Sequence, residues 1–248
     1  MDIKKILVSQ PKPADDKSPY IDLATRFNVE VVFRPFIKIE GLSAKEFRTE
    51  KINIADYTAI IFTSKVAVDN FFRLAEETRV SIPDTLKYFC TTESIANYLQ
   101  KYVVYRKRKI FFGTTGKLDD PALKSSFQRH NKEKYLFPIS DVHNAPTKTL
   151  DDMKINYIKS IMYRTVSNDF TPEEPFDYDM LVFFTPSGIH SLKKNFPDFD
   201  QKANGVKIAC LGAATVKAAE AAKLTVDISA PTPTTPSMPA AIAAYLAK

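Results

Sequence analysis

The chain has 248 residues, 44% of them hydrophobic and 26% charged, and it carries a net charge of +6 at pH 7. This balance is typical of a folded globular protein and excludes a wholly disordered chain, which needs fewer apolar residues and a larger charge imbalance. No apolar run approaches the roughly 20 residues of a membrane span, and the apolar stretch near Met1 is too brief for an export signal. We therefore expect a cytoplasmic protein without membrane contact, and the positive charge predicts an anionic partner.

Continuous apolar runs, of the kind found in strands buried on both faces, recur along the chain. In chain order they predict strands at residues 6–8, 29–39, 59–62, 88–90, 135–137, 157–166, 180–184 and 208–210. Apolar residues at helical spacing predict amphipathic helices at residues 68–75, 95–102 and 238–245. Ser64, Thr92 and Thr235 precede these helices as candidate N-caps. Strands that alternate with helices predict an α/β fold with mainly parallel sheets flanked by helices.

An internal repeat organises the chain. Similar short sequence segments recur in the same order about 120 residues further along the chain. The matched pairs are Thr63 with Thr185, Cys90 with Cys210, Ser94 with Thr215, and Thr114 with Thr234. The segment at residues 4–9 also resembles the segment at residues 133–138. The sequence therefore predicts a duplicated α/β unit, which gives two similar lobes.

Two divisions into domains fit this repeat. One cuts the chain near residue 130 into two sequential domains. The other treats the predicted strands at 29–39 and 157–166 as connectors, because strands of about ten residues are long for a compact α/β unit. In that division the N-terminal segment packs with the C-terminal third, and residues from about 40 to 166 form the other lobe. The residues themselves do not decide between the two.

Several familiar sites are missing from the sequence. The segment from Gly113 to Lys117 looks like a phosphate loop, but the motif needs Gly in place of Phe111 and Ser or Thr in place of Leu118. The turn at Ser187 lacks the flanking glycines of a nucleophile elbow. The six glycines form no GxGxxG dinucleotide fingerprint.

The histidines and cysteines do not predict a metal site. His130, His143 and His190 are isolated from one another and have no metal-ligand spacing. Cys90 and Cys210 each lie inside an apolar run, as reduced core thiols do. We therefore expect no metal ion and no organic cofactor.

Residues 101–109 carry five bases and no acid. Aromatic residues among these bases suit single-stranded nucleic acid, but no recognition motif accompanies them. We interpret the run as a short strand that ends in a solvated basic loop, and we expect no nucleic-acid partner.

Small hydroxyl and glycine residues stand where predicted strands become helices. They occur at residues 63–64, 91–94, 113–115, 185–188, 212–215 and 234–235. In a parallel sheet these turns lie together at the carboxyl edge, where ligands bind. Helix N-termini there offer unpaired N–H groups and a partial positive charge, although each hydroxyl taken alone is better explained as an ordinary N-cap. The whole set predicts a ligand with several carboxylates or phosphates.

These pieces resemble the uroporphyrinogen-III synthase family. The resemblance is carried by residues 61–64, 89–99, 162–165, 182–188, 208–215 and 230–236, in this order. It implies two α/β lobes joined by a two-stranded connector, with residues 1–39 and 167–248 in lobe one and residues 40–166 in lobe two. It also implies a lyase without cofactors that cyclises hydroxymethylbilane, a linear tetrapyrrole with eight carboxylates, with inversion of the last ring and loss of water.

The resemblance also assigns roles to residues. Tyr163 is the candidate to hydrogen-bond the departing hydroxyl. Carboxylate-binding roles fall on Ser64, Thr92, Ser94, Ser187, Gly188 and Thr215. Many family members have Arg-Pro where this chain has Gln10-Pro11, which removes one expected carboxylate partner unless Lys12 replaces it.

The resemblance further implies a monomer, with transient contact to the preceding pathway enzyme as a possibility. The alternative from a different class is a non-catalytic two-lobed protein that binds a tetrapyrrole or another polyanion. The isomer formed from hydroxymethylbilane distinguishes the two.

Overall fold

The structure is a computed structural model that describes residues 3–13, 18–142, 147–171 and 175–247. Its strands are β1 Lys5–Val8, β2 Glu30–Phe33, β3 Ile37–Gly41, β4 Ala59–Phe62, β5 Lys87–Cys90, β6 Ile110–Phe112, β7 Tyr135–Ser140, β8 Tyr157–Ser167, β9 Met180–Phe183, β10 Lys207–Leu211 and β11 Ile228–Ala230. Its α-helices are α1 Pro19–Phe27, α2 Ala44–Thr49, α3 Lys65–Glu77, α4 Glu93–Tyr98, α5 Pro121–Arg129, α6 Lys148–Asp152, α7 Pro186–Asn195, α8 Gln201–Asn204, α9 Ala213–Ala221 and α10 Met238–Leu246. Short 3-10 helices occupy Ile54–Asp56 and Leu99–Lys101. No helix in the described ranges is long and apolar enough to cross a membrane.

The chain divides into two compact units. Unit 1 comprises Met1–Lys38 and Val166–Lys248, and unit 2 comprises Ile39–Thr165. The chain passes from one unit to the other within β3 and again within β8.

Each unit is built on its own sheet. In unit 1 the strand order is β2-β1-β9-β10-β11, and every neighbouring pair is parallel. In unit 2 the order is β3-β8-β7-β4-β5-β6, and the pairs from β8 to β6 are parallel. In the internal repeat, β8, β7, β4, β5 and β6 of unit 2 correspond to β2, β1, β9, β10 and β11 of unit 1. The two sets have the same spatial order in their sheets. The predicted duplication and the predicted parallel α/β fold are therefore confirmed.

The central strands of unit 1, β1, β9 and β10, are buried on both faces because helices cover both. Ile6 and Val8 of β1 pack with Ile242 of α10, and Leu7 between them packs on the other face with Leu192 of α7. Alternate side chains therefore enter opposite clusters, which explains the continuous apolar runs of the sequence.

Unit 2 repeats this arrangement. Ile60 of β4 packs with Phe71 of α3, whereas its neighbour Ile61 packs on the other face with Phe127 of α5 and Leu150 of α6. The α3 and α4 helices thus cover one face of the sheet, and α5 and α6 cover the other.

Three predictions about local structure are wrong. The single strand expected at 29–39 is two strands, β2 and β3, because Pro35 between them has no N–H to donate to a ladder and Phe36 turns into the core of unit 1. The expected cap Thr235 lies in a turn, where its N–H donates to the carbonyl of Thr232, and Ser237 caps α10 instead.

The third concerns the basic run at residues 101–109, which contains no strand and joins a 3-10 helix to β6. Its Tyr102 is held inward, since the ring stacks on Phe72 at 4.4 Å and the hydroxyl donates to Asp69 at 2.5 Å. This aromatic side chain is therefore engaged within unit 2.

Candidate active site

Two of the sequence-predicted site residues meet at the carboxyl edge of the sheet in unit 2. Ser64 follows β4 and caps α3, where its Oγ accepts the N–H of Ala67 at 3.1 Å. Tyr163 lies on β8 opposite Ser140, the last residue of β7. The Tyr163 hydroxyl is 3.3 Å from the Ser64 Oγ. Because strand order reverses between β7 and β4, this pair lies beside the crevice where open α/β sheets bind ligands.

The environment of Tyr163 keeps its phenol protonated. Its side chain is buried in the cluster of unit 2, and this burial raises its pKa, while the hydrogen bond with Ser64 opposes part of the rise. The Ser64 Oγ already accepts an N–H, so its own hydrogen is available to the phenolic oxygen. With that arrangement the Tyr163 O–H is free to donate to a bound molecule.

Arg164, which follows Tyr163, is paired with acidic side chains through one nitrogen of its guanidinium, while its Nε has no hydrogen-bond partner among the described residues. Its guanidinium is hydrogen-bonded to the carboxylate of Glu46 and lies 4.0 Å from that of Glu40. The hydrogen bonds that Glu46 accepts, chiefly from Ser43 and in second place from Arg164, lower its pKa to about 2. This carboxylate therefore stays charged.

The second helix start of unit 2 carries Thr92 and Ser94. Thr92 caps α4, where its Oγ1 accepts the N–H of Ile95 at 3.3 Å, and Ser94 is exposed in the first turn. The preceding Thr91 is only 1% exposed, and its hydroxyl has no partner among the described residues. Thr91 also accepts the N–H of Gly116 through its carbonyl, so the loop after β6 is tied to this strand end.

Asp120 fixes the conformation of that loop. Its carboxylate accepts the N–H groups of Thr114 and Thr115 at 2.9 and 3.0 Å and also caps α5. The Thr114 N–H is the largest influence that holds the pKa of Asp120 well below its ordinary value. These N–H groups are consumed inside the loop, which gives a physical reason why the segment from Gly113 to Lys117 is not a phosphate loop.

Unit 1 carries the other predicted positions. Thr185 caps α7, and its Oγ1 accepts the N–H of Gly188 at 3.3 Å. Gly188 is buried, and a Cβ built on it would lie 3.1 Å from the ring of Phe183. A side chain at 188 would therefore press on the ring of Phe183, and Ser187 beside it is partly buried.

Thr215 lies in the first turn of α9, which begins after β10 without a side-chain cap. Gly212 takes the N-cap position with a φ of +81°, a conformation that favours glycine, and no atom lies within 4 Å of a Cβ built there. Thr215 is only 2% exposed, so its side chain is part of the packing beneath this turn. Gln10 and Lys12, beyond the end of β1, are exposed.

The described residues contain no group of three His, Cys, Asp or Glu side chains that could hold a metal ion. Cys90 and Cys210 are buried free thiols, as predicted, and burial raises the pKa of Cys210 to about 12. His143 lies outside the described residues.

The family model of uroporphyrinogen-III synthase HemD matches residues 18–240. The chain belongs to the uroporphyrinogen-III synthase family. The uroporphyrinogen-III synthetase of Helicobacter pylori 26695 is 14% identical, with 99% of each chain covered and a TM-score of 0.57, which shows a shared fold. A mutant uroporphyrinogen III synthase of the bacterium Thermus thermophilus is 13% identical, with 98% of this chain and 97% of that chain covered and a TM-score of 0.47. No curated protein matches the chain significantly.

Family membership confirms the resemblance inferred from the short sequence pieces. The sequence did not single out Asp120 or Lys148, although both lie at the carboxyl edge of unit 2. Asp120 had a detectable signal, because Asp followed by Pro121 is a typical N-cap and first helical residue. Lys148 had none, since a lysine at a helix start resembles any solvated base.

Proposed function

We propose that this chain is a uroporphyrinogen-III synthase, a lyase that cyclises hydroxymethylbilane to uroporphyrinogen III with inversion of the last pyrrole ring and loss of water. The observation that carries the proposal is the family match over residues 18–240. The adjacency of Tyr163 and Ser64 at the carboxyl edge of a parallel sheet supports it, because this edge suits a small-molecule site.

The substrate supplies most of the electronic push in this reaction. The C–O bond of the terminal hydroxymethyl group breaks, driven by the electron-rich pyrrole that bears it, and the hydroxyl departs as water overall because the last ring loses one proton when the macrocycle closes. The resulting cation is attacked by the already substituted carbon of the last ring, which gives a spiro intermediate. Fragmentation and re-closure then invert that ring. Unguided cyclisation gives the uninverted type I isomer, so the protein's principal task is positioning.

Tyr163 is the proposed donor to the departing hydroxyl. Burial keeps its phenol protonated, and in the arrangement where Ser64 donates to the phenolic oxygen, the phenolic hydrogen is free for the substrate. A phenol of raised pKa acts by hydrogen bonding, with little complete proton transfer, and its contribution to the rate is therefore modest.

The proposed binding sites for the substrate carboxylates are the N-termini of three helices. Ser64, Thr92, Ser94 and Ser187 stand in the first turns or caps of α3, α4 and α7, where backbone N–H groups and the helix dipole favour anions. The buried Gly188 and Thr215 contribute by letting the α7 and α9 turns pack closely.

We also propose that the protein is a cytoplasmic monomer that makes transient contact with the preceding pathway enzyme. Buried free thiols suit a reducing compartment. The strongly exposed large apolar side chains in the described ranges are few: Ile39, Val104, Val142 and Ile158. Light scattering of the purified protein measures its mass directly, and a stable dimer would contradict the monomer.

The isomer composition of the product tests the proposed function. Purified protein is mixed with hydroxymethylbilane, the product is oxidised to porphyrin, and the isomers are separated by chromatography. We expect mainly type III with the protein and type I in a control without it. Tight binding of the tetrapyrrole with only type I product would instead indicate a non-catalytic binding protein.

A further inference from the structure

A cavity of about 440 Å³ opens at the carboxyl edge of unit 2, near the ends of β4 and β5. Thr63 and Thr91 line it from these strand ends, Lys117 and Asp119 from the loop after β6, and Lys148 and Asp152 from α6. Its volume falls in the range of about 300–1,000 Å³ typical of small-molecule sites.

Thr91 is the first indication that the cavity takes a ligand. Its hydroxyl is buried without a hydrogen-bond partner among the described residues, although buried polar groups are nearly always partnered. The fold itself does not need this hydroxyl. The corresponding position in unit 1 is Leu211, which follows Cys210 as Thr91 follows Cys90 and carries no hydroxyl.

The charged side chains of the cavity give the class of ligand. Lys117 and Lys148 are exposed and form no ion pair with a described residue, so both ammonium groups are available to carboxylates. Asp119 and Asp152 supply acceptors on the same cavity. A lining with both signs suits a molecule that carries anionic arms and an N–H donor, as a pyrrole ring with two carboxylate side chains does.

The position of Lys117 is set by the loop that carries it. Asp120 holds the N–H groups of Thr114 and Thr115, and Gly116 takes a φ of +77° and donates its N–H to the Thr91 carbonyl. The loop therefore places the Lys117 side chain at the cavity, whereas the N–H groups of Thr114 and Thr115 are already bonded to Asp120 and do not bind a ligand.

We propose that this cavity holds one pyrrole ring of the substrate, with Thr91, Lys117 and Lys148 binding its carboxylate arms and Asp119 and Asp152 accepting its N–H. The inference rests on the proposed synthase function and names a subsite for it within unit 2.

Thr91→Val tests the hydroxyl because valine keeps the shape and removes the polar atom. We expect the KM for hydroxymethylbilane to rise about 10-fold, equivalent to about 1.4 kcal/mol, with kcat nearly unchanged. The melting temperature should stay equal or rise, since an unpartnered buried hydroxyl is replaced by a methyl group. Ser160→Ala is the matched control, because Ser160 also buries an unpartnered hydroxyl but does not line the cavity. It should leave KM unchanged.

Lys117→Ala and Lys148→Ala test the cations. Each should raise KM by about 3-fold to 10-fold, and the double variant by more, whereas Lys124→Ala on the exposed side of α5 should have no effect. Anaerobic titration with uroporphyrinogen III measures the same affinities without turnover.

The outcomes separate the two proposals. If the wild type makes type III isomer but Thr91→Val and the double lysine variant keep KM and product affinity within about 2-fold of it, the subsite is wrong and the synthase stands. A Thr91→Val protein with lowered melting temperature and unchanged KM also overturns the subsite, because the hydroxyl is then structural. A wild type that makes only type I isomer overturns the proposed function.

Discussion

Replacing Tyr163 by phenylalanine removes one hydroxyl and leaves the ring in the core of unit 2. The bond lost is the 3.3 Å contact with Ser64, which is long for two hydroxyl groups. A neutral hydrogen bond contributes about 0.5–1.5 kcal/mol to stability, so we expect a loss below about 1 kcal/mol. For a chain of this length that shifts the melting temperature by at most about 4 °C.

The effect of Tyr163→Phe on the rate should be larger. A positioned acid contributes about 10²-fold to 10⁴-fold, and a leaving group expelled by its own pyrrole places this case near the lower value. A 10²-fold loss corresponds to about 2.7 kcal/mol in the barrier. Rapid-quench single-turnover measurement with excess protein isolates this step. The wild-type rate should also fall at alkaline pH, as the phenol loses its proton above its ordinary pKa of 10.0.

Ser64→Ala completes the test because Ser64 has two roles. It should cost about 1 kcal/mol of stability through the lost N-cap of α3, and it should slow the reaction through Tyr163. Ser43→Ala, which removes the cap of α2, is the control that loses stability without losing rate. The double variant of Ser64 and Tyr163 should be slowed by less than the product of the single effects. A Tyr163→Phe protein with the wild-type single-turnover rate would refute the donor role.

Three further substitutions probe the packing and the loop. Gly188→Val should destabilise the protein by about 1–3 kcal/mol in denaturant titration, because its side chain would press on the ring of Phe183. Asp120→Asn should lower the unfolding free energy at neutral pH. Because the folded pKa of Asp120 is depressed, its stabilisation is present above about its ordinary value of 3.8 and is lost as pH falls below that, so the gap to the variant should close in acid. Cys90→Ser should lose about 1–3 kcal/mol of stability on burying a hydroxyl in an apolar cluster, and retain its rate at 25 °C.

The fold was largely predictable because strands buried on both faces leave a direct mark on the sequence. The runs that became β4, β5, β9 and β10 are continuous and apolar, and their repetition at a constant offset predicted the duplication. The break between β2 and β3 has a local signal in Pro35, but the apolar residues on both sides of it, including the buried Phe36, imitate one continuous strand.

The candidate site was predictable only in part. The caps Ser64 and Thr92 follow from local preferences at helix starts. The contact between Ser64 and Tyr163 joins residues 99 positions apart, and it depends on how β8 registers against β7. The missing partner of the Thr91 hydroxyl is likewise a property of packing, and no local pattern reveals it.

The inversion of the last ring is the central claim, and isotopic labelling of the substrate tests it most directly. Hydroxymethylbilane is prepared with ¹³C at the methylene that joins the third and last rings and at the last-ring carbon bonded to it. In the spiro pathway this bond breaks, and the methylene forms a new bond to the opposite α-carbon of the same ring, which is unsubstituted in the substrate. The account predicts that the direct ¹³C–¹³C coupling of the substrate disappears from the NMR spectrum of the enzymatic product. Retention of that coupling, as in spontaneous type I cyclisation, would contradict it.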